Sequence, residues 1–238
     1  MHNILRGRAP APLAAVALIA LGGCWAPRLQ APPVVAWGSM REVLRDGRSE
    51  PRVALAGLER GGAIGVGALA ALAGEITILD GRVLIARADG TACRVTEAGP
   101  EAAATLLARA EVAAWREFPL PTCATYAELD AAIAAGLGRE GFDRRQPTPV
   151  RIRGNAPHIE FHVIAGACPI AQPDGPAPWR FVGALPEVEL VGLYVEGGAG
   201  RWTHHHRHSH LHVVAPGHMG HLDDLRLTDG VLLLPAGR

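Results

Sequence analysis

Eight of the eleven histidines fall between His204 and His221. From Trp202 to Val214 they follow a period of two, so an extended chain would place His204, His206, His208, His210 and His212 on one face and Leu211 and Val213 on the other. Two imidazoles one residue apart on a strand can converge on a single ion. Neutral imidazole is a nitrogen ligand for zinc, nickel, copper or ferrous iron. Pro216-Gly217 then reverses the chain, and Met219-Gly220-His221 returns a third histidine, with His218 as an extra candidate in the same turn. A His-x-His pair followed by a later histidine is the pattern of a site with three protein ligands and positions left for substrate or water. The tract reads equally well as a metal sponge, in which His204, His205, His206 and His208 would help to hold several ions loosely without catalysis. His158 and His162 alternate with Glu160 and are candidates for orienting roles around a metal.

Composition narrows the chemistry further. Lysine never occurs among the 238 residues, and every basic side chain apart from histidine is arginine. Schiff-base catalysis, pyridoxal phosphate and a Walker-type phosphate loop therefore lack their essential amine. Basic and acidic residues balance at 23 each, which removes any global electrostatic case for nucleic acid or an anionic membrane surface. The partner expected is a small molecule, and a homodimer is compatible with the sequence.

The elements that would position these residues are mostly strands. Glu75–Leu79 and Arg82–Ala86 are β-rich runs joined by Asp80-Gly81, a strong hairpin signal, and Cys93–Val95 extends them towards a meander. A short helix is expected from Met40 to about Asp46. Pro100–Phe118 is Ala- and Leu-rich with helical propensity, although Val112–Phe118 reads equally as a strand. Thr125 as N-cap, Glu128 three residues on, and Leu129, Ile133 and Leu137 at helical spacing predict an amphipathic helix over 125–137, with Gly136 and Gly138 at its exit. Beyond it, strands are expected at 150–153, 159–164, 179–182, 187–195, 209–214 and 231–234, punctuated by Gly and Pro as in a barrel or sandwich. The fold class is thus α+β: two β-rich lobes, a mixed sheet and a barrel-like one, with one or two helices. The lobes are placed at 46–140 and 150–238, with a boundary near 138–149.

The N-terminus reads as an address. Arg6 and Arg8, an apolar run from Ala11 to Leu21, and Leu21-Gly22-Gly23-Cys24 make a signal peptide over 1–23. The last four residues resemble a bacterial lipobox, in which Cys24 would be lipidated; a plain secretory signal is the alternative. The apolar run is too short for a permanent span, which needs roughly 20 residues. Residues 24–45 then form a Pro-rich tether. Export, with attachment to a membrane in the periplasm or at the cell surface, permits one disulfide among Cys93, Cys123 and Cys168, with no pairing favoured.

Two stretches together resemble the α-acetolactate decarboxylases. Gly65-Val66-Gly67 leading into Leu72-Ala73-Gly74-Glu75-Ile76-Thr77-Ile78-Leu79-Asp80-Gly81 is similar to the family's glycine-rich approach to an L-x-G-E hairpin ending in L-D-G. His210-Leu211-His212-Val213, followed by Gly220-His221-Leu222-Asp223-Asp224, is similar to its H-L-H and G-H-x-x-D segments. The resemblance covers about residues 60 to 236. It implies a metal-dependent carbon–carbon lyase that converts 2-acetolactate to acetoin and CO2, with the metal between two β-rich lobes. On the matching positions it implies His210, His212 and His221 as ligands to Zn2+ or another divalent transition metal, and Glu75 as the carboxylate that reaches the metal and takes part in proton handling. The pattern departs in three places. The loop before His221 is shorter than usual and holds His218. The family's carboxylate-binding arginine has no counterpart within Ala167–Asp174, so Arg180 is the nearest candidate. The family's tail, which returns a further acidic residue, is unmatched up to Arg238. The other reading is a non-catalytic exported lipoprotein that buffers zinc, copper or nickel.

Overall fold

The computed structural model describes residues 29–167 and 172–237. The signal-like stretch, Cys24, the start of the tether and Cys168 lie outside them. Among the described residues no helix is long and apolar enough to cross a membrane.

The first layer comprises β1 (Val35–Trp37), β2 (Val53–Ala54), β3 (Ala63–Leu69), β4 (Glu75–Leu79), β5 (Arg82–Ala88), β6 (Cys93–Glu97) and β7 (Ala103–Glu111), with a helix of one turn, α1 (Met40–Leu44), between β1 and β2. Its strands run in the order β1-β7-β3-β4-β5-β6, and β2 also pairs with β7. All these pairings are antiparallel rather than mixed; short turns, which can only reverse the chain, join β3 to β4, β4 to β5 and β5 to β6. The β4–β5 hairpin has the expected register, with Leu79 opposite Arg82. Asp80 (φ 51°) and Gly81 (φ 84°) supply the left-handed pair that a tight hairpin needs.

Ala103–Glu111 is a buried central strand, not a helix. Its small side chains and Gly65 and Gly67 opposite let β3 and β7 approach so closely that a Cβ at Gly67 would meet the Leu106 carbonyl. Tertiary packing here outweighs alanine's helical propensity.

The second layer comprises β8 (Trp115–Pro119), β9 (Thr148–Val163), β10 (Trp179–Tyr194), β11 (Ser209–Ala215) and β12 (His218–Pro235). It runs β11-β10-β9-β12-β8, and β11 also pairs with β12, so β9, β10, β11 and β12 close into a barrel-like ring. The separate strands expected at 150–153 and 159–164, and at 179–182 and 187–195, are continuous 16-residue strands that pass through bulges. Likewise 231–234 is the end of the 18-residue β12.

Helix α2 (Tyr126–Arg139) is capped as expected: the Thr125 side chain accepts the Glu128 N–H at 3.3 Å. Gly136 lies inside the helix and packs against Leu232. Leu129, Ile133 and Leu137 are fully buried against β9, β11 and β12 in the larger core. Since α2 and β8 belong to this layer, the chain passes between sheets after β7, at Glu111–Trp115, earlier than the 138–149 boundary expected.

Three apolar clusters join the layers. One contains Ile64, Val112 and Val191, another Ala86, Val163 and Met219, and the third Ala108, Leu193 and Val195. Along this seam β4 faces β11 and β12.

Candidate metal centre

Strand register brings the imidazoles together. His212 and His221 are directly opposed across β11 and β12, and His210 is two residues from His212 on the same face. The ligand nitrogens of the three lie within 4.8 Å of one another. The face is buried, with His210 4% and His212 0% exposed. Gly192 permits this by letting β10 run so close that any Cβ there would strike the His210 carbonyl.

The environment prepares the rings as ligands. Burial drives the His210 pKa down to about 3, and the His212 and His221 pKa values well below the usual 6.5. The rings are therefore neutral at pH 7, as ligation requires. His212 Nδ1 is 3.0 Å from the Thr77 hydroxyl. Its Nε2 is buried without a hydrogen-bond partner, 3.7 Å from a Glu75 oxygen. An orphaned ring nitrogen facing two other imidazoles and a carboxylate fits a divalent metal better than it fits an apolar core. On this donor set, the three histidines can hold a metal ion.

Glu75, at the start of β4, is itself 4% exposed. Burial raises its pKa to about 7, opposed by nearby His162 and by the Ile164 N–H, which donates to it at 3.3 Å. The four expected groups thus share one place. The fifth, Arg180, lines the same cavity of about 310 Å3, but 58% of its side chain is exposed and it is paired with Asp223 at 2.9 Å.

Asp223 and Arg207 carry no local signal in the sequence. Asp223 is the extra residue of a bulge on β12 between Leu222 and Asp224; such a bulge re-aims a side chain. Its carboxylate sits 2.8 Å from His162 Nδ1, and its carbonyl accepts Arg207 at 2.7 Å. His162 lies opposite His221 on β9, extending the imidazole row by one strand. His158 and Glu160 instead pair with each other. Arg207 stacks 3.7 Å above the Tyr126 ring. A register argument cannot find such contacts, since they join a bulge, a loop and a helix start.

The tract from His204 to His208 is not strand: β11 begins only at Ser209, and His206 has φ 64°. The Asp130 carboxylate on α2 fixes the strand start by accepting the His208 N–H and the Ser209 hydroxyl. The five alternating histidines therefore do not share one face. His205, His206 and His208 are exposed. His204 folds back so that its ring centroid is 4.8 Å from that of His221. Half-buried His218 packs on Phe181, ring centroids 4.7 Å apart, and not on the three clustered rings. Cys93 and Cys123 are free thiols.

A family model for alpha-acetolactate decarboxylase matches residues 38–173. The chain belongs to the alpha-acetolactate decarboxylase family. The matched segment includes Glu75, and the three clustered histidines lie beyond it. Among solved structures, a Staphylococcus aureus protein of unknown function, described as similar to alpha-acetolactate decarboxylase, shares the fold at TM-score 0.70 and 18% identity, over 84% of each chain. The Bacillus subtilis strain 168 alpha-acetolactate decarboxylase shares it at 0.68 and 18%, over 85% of each chain. The acetolactate decarboxylase of Bacillus subtilis subspecies spizizenii does so at 0.68 and 17%, also over 85%. No curated protein matches by sequence. Among the described residues the alpha-acetolactate decarboxylase fold is built with two sheets and two α-helices.

Two outcomes follow from the site's construction. Thr77→Val removes the hydroxyl beside His212 Nδ1 while keeping the side-chain shape. Loss of such an outer partner costs about 10- to 100-fold in metal affinity, measurable by competition with a chromophoric chelator. An unchanged affinity would show that Thr77 does not orient the ring.

The second concerns metal-free protein. Burial depresses the pKa values of His210, His212 and His221, and that of His204 to about 4. Below their ordinary 6.5 the unfolded chain takes up protons that the folded chain refuses, so these groups cost stability progressively as pH falls. Glu75 acts oppositely. Its raised pKa gives stability that is complete below about 4.5 and lost as pH rises through about 7. Four imidazoles outweigh one carboxyl, so the thermal midpoint of chelator-treated protein should fall steadily below pH 6.5. A midpoint constant down to pH 5 would contradict the burial of these rings.

Proposed function

We propose that the protein is a metal-dependent decarboxylase that converts 2-acetolactate to acetoin and CO2. The observation that carries this reading is the convergence of His210, His212 and His221 with a buried carboxyl, Glu75, in a fold of this family. The three histidines would hold a divalent metal, most simply zinc. When bound, the metal supplies Lewis-acid stabilisation of negative charge on substrate oxygen.

In the reaction the bond from C2 to the carboxylate breaks. CO2 leaves, the electron pair passes towards the neighbouring ketone, and a proton from the protein ends on C2. With no lysine in the chain, no iminium can take up that pair. Glu75 handles the proton: its carboxyl is held near pH 7, so it exchanges a proton at little cost under working conditions. Ile164 N–H fixes one of its oxygens and leaves the other facing the imidazoles. Arg180, at the cavity, meets the substrate carboxylate after exchanging its partner Asp223 for it. Burial of the imidazoles and Glu75 keeps competing water away from the reacting carbon. The proposal includes export, with a lipid on Cys24 as the anchor.

Incubation with racemic 2-acetolactate tests the reading. Equal amounts of acetoin and CO2, formed faster than in buffer and stopped by chelator, are expected. No acetoin above the spontaneous rate from metal-replete protein would overturn it.

A further inference from the structure

Two chemically different sets of side chains line the cavity. Glu75, His210, His221, Arg180 and Asp223 form the polar set, and Met40, Val43, Leu44, Leu72, Leu106 and Ile164 the apolar one, the two meeting where the Ile164 N–H donates to Glu75. These apolar side chains are not an extension of either main core. Met40, Val43, Leu72, Leu106 and Ile164 form a separate small cluster with Ala68, and Leu44 packs against it.

Particular backbone features hold this wall in place. Helix α1, which carries three of the six, begins at the Ser39 N-cap, and its first N–H groups are received by the Arg201 and Gly200 carbonyls of the loop before β11. Ala71 and Leu72 both adopt left-handed backbone (φ 56° and 53°), unusual for residues with a Cβ. The Ala71 N–H donates to the Ser49 carbonyl and the Leu72 carbonyl accepts from the Gly166 N–H, each at 2.7 Å, so surrounding structure sustains the strain. Strain kept at a cavity wall in order to present a leucine points to a function for that leucine.

2-Acetolactate offers only two methyl groups to such a wall. Covering it takes an alkyl chain, which gains affinity with each methylene removed from water. We infer that the apolar wall is a subsite for the alkyl substituent of the acid, so that the preferred substrate is a 2-hydroxy-3-oxo acid with a chain longer than those of 2-acetolactate. This inference rests on the decarboxylase reading of the same site and specifies its substrate class.

A binding series tests it independently of turnover. Full-length, zinc-supplied protein is titrated calorimetrically with straight-chain 2-hydroxy acids from lactate to 2-hydroxyoctanoate, which lack the ketone and are not decarboxylated. Affinity should rise about fourfold per methylene. A flat or falling series overturns the inference. Leu44→Gln, on the partly exposed edge of the wall, should flatten the gradient while leaving lactate binding unchanged; Met40→Leu, at a buried position, is the second variant and should alter the gradient while keeping the wall apolar. A gradient untouched in both folded variants would place the chain elsewhere and also overturn it.

CO2 release from 2-acetolactate and from homologues lengthened at C2 is then compared. Faster kcat/KM for the longer acids supports the inference. Turnover best with 2-acetolactate overturns it and leaves the decarboxylase reading standing. A retained affinity gradient with no turnover of any acid supports the subsite and sinks the decarboxylase reading.

Discussion

Replacing His212 by alanine is expected to abolish tight metal binding and, with it, catalysis. The ring is fully buried, and its Nε2 has no partner in the protein, while its Nδ1 is held by Thr77. It is opposed to His221 by strand register, so its loss removes one of the three convergent nitrogens. Loss of an outer partner alone costs about 10- to 100-fold in affinity, and loss of a ligand should exceed that. The measurement is metal affinity by chelator competition on the folded variant. His218→Ala serves as the control, because that ring is half-buried against Phe181, outside the cluster. If His212→Ala bound one ion as tightly as the wild type, the ion would sit elsewhere, with the exposed His205, His206 and His208 as the next candidates.

The second large effect concerns Glu75→Gln. Glutamine keeps an oxygen that can accept the Ile164 N–H and fills the same volume, so the fold and the histidine cluster should persist. What it lacks is an exchangeable carboxyl proton beside the imidazoles. General acid–base groups contribute about 10²- to 10⁴-fold, so kcat for 2-acetolactate should fall by about that factor at unchanged metal content. A variant with near wild-type kcat would remove Glu75 from the proton path. A variant that lost its metal would make the carboxylate a ligand and not a proton carrier.

How much of this was legible in the sequence depended on the range of the contacts involved. The β4–β5 hairpin was visible because Asp80-Gly81 and the alternation around it are local signals, and α2 because its cap and apolar spacing lie within one segment. The convergence of His210, His212 and His221 followed from the period of a strand and one reversing turn. Ala103–Glu111 was ambiguous because a run of alanines carries helical propensity, and only the glycines that β3 presents to it decide for a strand. His204 to His208 were read as strand on alternation alone. Their turn follows from Thr203 Oγ1 donating to the Arg207 carbonyl and from one distant partner, Asp130 on α2, holding the start of β11. Asp223 and Arg207 were hidden for the same reason, because a bulge and a loop bring them to the cavity, whereas the alternation of His162 with Glu160 already made it a candidate.

The most direct measurement is the metal content per chain of purified full-length protein, taken on the same sample as CO2 release from racemic 2-acetolactate before and after chelation. One tightly held equivalent, lost together with activity on chelation and restored with it on adding zinc, is the predicted result. Several weakly held equivalents without turnover, or turnover that persists after the metal is removed, would contradict a single catalytic centre at His210, His212 and His221.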